Sequence, residues 1–407
     1  MAAMMDHIVD RYRQVEKELA KHAPARVFAT IPRTGKFVGR TIARARGEEI
    51  EGLPVPSLSP SLLAHVALDE AMLLVAMGPN RFPRREDYER VGAELAEARA
   101  LHEEQGWTAD PASYHLTPQP LEHPHVSKGW AFRERYERLS WSSGFEPRQG
   151  EPGSERWMHF APNHIAGAWV LRHDDGPRPW LVCVHGFGMG YPFMEFPAFQ
   201  ASKLHHELGL NLVGPMLPLH GRRKVTPMSG EAFLNFDMMN SVFGLAQSVW
   251  DIRRLLGWVQ MQEPTSIGIY GVSLGAYVAS LLVGLDDRLD AVIAGIPVSD
   301  FPALFHSHAP AHIRLRTYEH DILGGCAEEV HRVVSPLVLE PQVPLDRRFI
   351  YAALGDRMSH PRQAHDLWLH WDRPEIRWYP GNHMGFLWSG EVKTFVRESL
   401  RKADLAR

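Results

Sequence analysis

The stretch from Ser266 to Leu285 constrains this chain more than any other. An apolar run, Ser266–Tyr270, leads directly into Gly271-Val272-Ser273-Leu274-Gly275, and a helix-like apolar segment follows without a gap. A serine between two glycines at a strand-to-helix junction implies a sharp turn that pushes the hydroxyl out past the sheet, with no room for Cβ atoms at the flanking positions. In a chain with 33 glycines the bare pattern has little weight, and a small-residue turn without chemistry is its rival reading. The strand–turn–helix setting is what favours a functional serine.

Around this junction, short apolar runs alternate with helical stretches. The runs are Trp180–Val184, Leu212–Leu217, Ser266–Tyr270, Ala291–Ile296, Phe349–Leu354 and Ile376–Tyr379, with amphipathic segments such as Phe243–Val259 between them. Several runs are apolar at every position, as parallel strands covered on both faces require. Alternating β and α segments predict an α/β architecture, a doubly wound and mostly parallel sheet spanning residues 155–407.

The first 150 residues read as a helical N-terminal extension. Ile8, Tyr12, Val15 and Leu19 lie on one helical face, Ser61–Met77 reads as a buried helix starting near Ser59, and Tyr88, Val91, Leu95 and Ala98 form a third stripe. A Pro/His-rich loop covers 111–124, and Trp107, Trp130 and Trp141 around it call for burial. The Gly/Pro-dense segment Gly144–Gly153 marks the boundary.

Composition excludes several classes. Lys and Arg total 44 against 48 Asp and Glu, so the basic excess of a nucleic-acid binder is missing. The longest nearly uninterrupted apolar stretch, Gly275–Leu285, falls well below the roughly 18 residues of a membrane span. Two cysteines cannot build a disulfide framework, and the acidic N-terminus does not read as a secretory signal, so a cytoplasmic location is expected.

A second constellation follows the run Trp180–Val184: His185-Gly186-Phe187-Gly188-Met189-Gly190. A buried strand entering a glycine-rich loop aims backbone N–H groups into a cleft, where they stabilise the oxyanion formed when a serine attacks a carbonyl. The donors expected are Phe187 (or Gly188) and Leu274, with Gly186 and Gly188 lining the substrate position. The G-x-G-x-G spacing, with no acidic residue in the right place downstream, argues against a dinucleotide loop.

With HGFGMG after one strand and GVSLG after another, followed by an acid and a histidine, the chain from about 155 to 400 resembles the α/β-hydrolase superfamily, whose order is Ser…Asp…His. The segment Leu217–Arg223 (LPLHGRR) is similar to a poorly characterised branch of it. The resemblance implies an α/β-hydrolase fold, a serine nucleophile at Ser273 and a lid insertion, here 300–345. At the end of Phe349–Leu354, Asp356 is the expected acid, with Asp300 as the alternative. His383, after the last strand, is the expected base. The activity implied is hydrolysis of a small-molecule or acyl-lipid ester (or thioester) through an acyl-enzyme, without cofactor. A peptidase or amidase, an acyltransferase and a non-catalytic pseudo-hydrolase remain open.

Other clusters carry less. His306, His308 and His312 surround Pro310, which breaks the helix a metal pair would need, so no metal is expected. His205-His206-Glu207 reads as a solvated helix end. Arg222 and Arg223 follow a strand end, as a solvated loop or as a fork for a substrate carboxylate or phosphate.

Overall fold

The computed structural model describes residues 23–47, 50–76 and 83–406. The stripe Ile8–Leu19 and the end of the Ser61–Met77 segment lie outside them. Among the described residues nine strands form one sheet: β1 (His125–Ala131), β2 (Glu134–Ser142), β3 (Ile165–Leu171), β4 (Trp180–Val184), β5 (Asn211–Pro215), β6 (Ile267–Val272), β7 (Ala291–Gly295), β8 (Arg348–Ala353) and β9 (Glu375–Tyr379). Their order is β1-β2-β3-β5-β4-β6-β7-β8-β9. From β5 to β9 every pairing is parallel, whereas β1, β2 and β3 join antiparallel. The α/β fold class expected from the alternating runs is therefore the one found.

Residue alternation along each strand feeds two cores. Trp180, Val182 and Val184 of β4 enter the core on one face, and Leu181 and Cys183 enter the core on the other. The first face is covered by the long helix Met238–Gln260, buried over most of its length, and by Leu274–Leu282. The C-terminal helix Gly390–Lys402 seals the second face through Val392, Phe395, Val396 and Leu400.

The helical reading of the first 150 residues needs correction over 125–142, where a hairpin extends the sheet. It escapes an apolar scan because its burial is partial and its residues are largely polar, as at a sheet edge with a solvated face. Trp130 on that edge is 70% exposed, against expectation, while Trp107 and Trp141 are buried. Upstream, helices Ala23–Arg46, Pro60–Ala76 and Arg85–Glu104 are present. The Ser59 hydroxyl accepts the Leu62 N–H at 3.1 Å as a cap, and the stripe Tyr88, Val91, Leu95 and Ala98 is the buried face of the third helix.

Candidate active site

The segments carrying the expected site residues all leave the carboxyl ends of strands in the parallel part of the sheet, where α/β sheets hold their ligands: 186–190 after β4, Ser273 after β6, Asp356 after β8 and His383 after β9. Ser273 has φ 56° and ψ −117°, a conformation that L-residues avoid. The turn is held by the Ser273 N–H, which donates to Gly295 O at 2.9 Å. A Cβ at Gly271 would sit 2.1 Å from Gly275 O, and one at Gly275 would sit 1.9 Å from Val184 O. Both glycines are thus steric requirements of the turn.

His383 Nδ1 lies 2.7 Å from Asp356 Oδ2, and His383 Nε2 lies 3.0 Å from Ser273 Oγ. With Nδ1–H donating to the carboxylate, Nε2 is left as acceptor for the serine hydroxyl. Asp356 Oδ1 in turn accepts the N–H groups of Met358 and Ser359, both at 2.8 Å, so the carboxylate is fixed from both sides. Burial alone would push the His383 pKa down. The charge and hydrogen bond of Asp356, with the charge of Asp69 added, outweigh burial and hold the imidazole above its ordinary value.

Asp300 is not brought to the histidine. Its carboxylate caps the helix Phe301–His308, with Oδ1 accepting the Ala303 N–H at 2.9 Å. The structure assembles Ser273, His383 and Asp356 and leaves Asp300 in a capping position.

The loop after β4 passes beside the serine, since a Cβ on Gly186 would come within 3.4 Å of Ser273 Cβ. Among the described residues neither the Phe187 nor the Leu274 backbone N–H donates a hydrogen bond. Leu274 opens a helix, whose first N–H groups have no intrahelical acceptor. The loop rests on its neighbours: Ser229 Oγ donates to Met189 O at 2.5 Å and accepts the Gly221 N–H at 2.9 Å. Buried Glu195 accepts from Trp169 Nε1 at 2.5 Å and from the Gly190 N–H, and burial raises its pKa to about 8.

Arg223 is neither solvated nor free to bind a substrate anion. Its guanidinium is buried, pairs with Asp251, and donates to Met216 O and Asn163 O at 2.9 and 2.8 Å. Arg222 beside it is exposed. His205 also departs from the solvated reading: it is buried and stacked on His173 at 4.0 Å. The backbone breaks at 309–310 between two helices, and His308 Nε2 donates to Met358 O at 2.7 Å. Among the described residues no group of three His, Cys, Asp or Glu could hold a metal, and no helix is long and apolar enough to cross a membrane.

One contributor was missed in the sequence. Asp69, on the helix Pro60–Ala76, is buried against the His383 loop: Oδ2 accepts the His383 N–H at 3.0 Å and Oδ1 accepts from Asn382 Nδ2 at 2.8 Å. Its signal is the pair Asp69-Glu70 inside an otherwise apolar helix.

No family model matches the chain. The uncharacterized protein Rv2627c of Mycobacterium tuberculosis is 40% identical over 374 residues, covering 91% of this chain and 90% of that protein. The uncharacterized protein MT2702 of the same species matches with the same identity and coverage. Among solved structures, acetyl xylan esterase 1 from Thermoanaerobacterium sp. superposes with a TM-score of 0.50 at 14% identity, over 79% of this chain and 99% of that one. That likeness is one of fold, and the fold is the α/β-hydrolase fold. Identity of 40% over nine-tenths of either chain leads to one assignment: the chain belongs to the family of the mycobacterial proteins Rv2627c and MT2702.

Proposed function

We propose that the chain is a serine hydrolase that cleaves a carboxylic ester, or thioester, through an acyl-enzyme. The observation that carries this reading is the continuous Ser273–His383–Asp356 hydrogen-bond chain, with contacts of 3.0 and 2.7 Å, built on a positive-φ serine. In this reading Ser273 Oγ attacks the carbonyl carbon while its proton moves to His383 Nε2. The carbonyl oxygen becomes an anion facing the N–H groups of Phe187 and Leu274. Collapse expels the alcohol, which takes the proton from His383. Water then enters, gives a proton to the same nitrogen and releases the acid, returning Ser273 to its starting form.

The raised basicity of His383 suits the base role, because the imidazolium formed at attack lies against the Asp356 carboxylate. An ester is favoured over an amide because an alkoxide leaves with less assistance than an amine. Residues 155–407, with the hairpin 125–142 that joins their sheet, form the catalytic unit in this reading, the helices before the hairpin the extension, and 300–345 the cover over the serine. The helix Phe301–His308 is tied to the acid loop through His308 and Met358.

The test is intact-mass labelling with a fluorophosphonate, beside turnover of nitrophenyl esters of increasing acyl length. One adduct on the parent chain, none on Ser273→Ala, and measurable turnover are expected. A folded parent chain that takes no adduct and turns over no ester would overturn the proposal in favour of a binding role.

A further inference from the structure

The helix Pro60–Ala76 lies upstream of every strand among the described residues, yet it closes on the two loops that carry His383 and Asp356. Asp69 meets both. Its Oδ2 accepts the backbone N–H of His383 and of Arg357, each at 3.0 Å, and its Oδ1 accepts from Asn382 Nδ2 at 2.8 Å. Arg357 directly follows Asp356, so one carboxylate ties the base loop to the acid loop. The helix is seated closely: a Cβ on Gly355 would lie 2.7 Å from Leu62 Cδ1 and 3.2 Å from Val66 Cγ2. Glu70, next along, pairs with the Arg357 guanidinium at 2.9 Å and with Arg33 at 3.5 Å.

We propose that Asp69 is a positioning residue for His383: it fixes the backbone of the base relative to the acid and sets a second carboxylate beside the imidazole. This rests on the serine-hydrolase reading of the site. Among the described residues Asp69 makes no hydrogen bond to the serine or to the ring of His383, so its action is exerted through the His383 backbone and through charge. The groups facing it are Asp356, His383 and the Arg357 backbone, with the Tyr379 hydroxyl nearby and Glu70 adjacent on its own helix. Burial, with the Asp356 charge added, raises the Asp69 pKa to about 6 against the opposing charge of His383, so Asp69 is ionised at pH 8. There its negative charge stabilises the imidazolium.

The test uses the full chain with Asp69→Ala and Asp69→Asn. Asn382 Oδ1 has no partner among the described residues, so a turned Asn382 amide can satisfy Asn at 69 and leave only the charge removed. Two readouts are taken: the rate of fluorophosphonate labelling across pH, and the His383 imidazole pKa by ¹⁵N-histidine NMR, assigned with His383→Gln. Asp69→Ala is expected to slow labelling at pH 8 by up to about 100-fold, the scale of a slightly misplaced catalytic group. Asp69→Asn is expected to slow it less and to lower the His383 pKa, moving the acid limb of the rate profile to lower pH. If Asp69→Ala does not fold, Asp69→Asn decides alone. A folded Asp69→Asn protein with an unchanged His383 pKa overturns the proposal. A parent chain that is never labelled and turns over no ester, but whose His383 pKa falls in Asp69→Asn, overturns the hydrolase reading and leaves the positioning role standing.

Discussion

Arg223 and Asp251 form an ion pair at 2.9 Å in which the side chains are 1% and 5% exposed. Asp251 also accepts from Ser143 Oγ at 2.6 Å, so the pair joins the loop after β5, the long helix and the end of β2. Burial pushes the Arg223 pKa down and the Asp251 pKa up, and each partner opposes that shift in the other. Removing one member leaves the other charge buried without compensation. Arg223→Ala should cost about 3–5 kcal/mol in urea unfolding, and exposed Arg222→Ala about 0.5 kcal/mol or less. Equal small losses would mean that the pair is dispensable.

The acid assignment separates two aspartates. Asp356→Asn should lower kcat by about 10⁴-fold with the fold intact, because the amide cannot hold His383 in the same tautomer. Asp300→Asn alters only a helix cap and should cost at most about 1 kcal/mol with kcat nearly unchanged. The opposite ranking in nitrophenyl-ester turnover would transfer the role to Asp300.

The elbow glycines have a steric test. Gly275→Ala drives a Cβ into the Val184 carbonyl and should destabilise by about 3 kcal/mol or more. Gly325→Ala, where a Cβ would meet nothing within 4 Å, is the neutral comparison. Similar unfolding midpoints for the two would remove the steric argument for the turn.

Acid should weaken the fold through buried neutral histidines. Burial lowers the His185 and His331 pKa values from 6.5 to about 4. A group with a depressed folded pKa contributes stability that is present above pH 6.5 and lost as pH falls towards 4, by up to about 1.4 kcal/mol per pH unit for each residue. Asp69, raised to about 6, acts in the opposite sense between about pH 4 and 6. Comparison within one residue isolates the effect: His331→Gln should flatten the difference in unfolding free energy between pH 7.5 and 5.5. An unaltered difference would show that His331 protonates without cost in the fold.

Much of the site was legible because its residues sit where strand ends must place them. GVSLG declares itself through the steric demand on Gly271 and Gly275, and Asp356 and His383 each follow an apolar run that became β8 or β9. The hairpin 125–142 was not legible, since its burial is partial and gives no apolar run. Arg223 looked solvated because its neighbours in sequence are polar, while the carboxylate that buries it comes from a helix 28 residues further on. For Asp69 the sequence offers only an acidic pair in an apolar helix: its partners, Arg357, Asn382 and His383, lie some 300 residues away, and only the folded chain brings them together.

The junction at Asp69 also bears on how the chain can be cut. The nine strands of the described residues all lie downstream of residue 83, so a fragment starting there carries that whole sheet. It would lose the acceptor for the His383 and Arg357 N–H groups and for the Asn382 amide, and Leu62 and Val66 would leave the surface of Gly355. Such a fragment carries every strand of the described sheet but not the carboxylate that holds its histidine loop. The length of chain that carries the sheet and the length that holds its reactive atoms in register are therefore different.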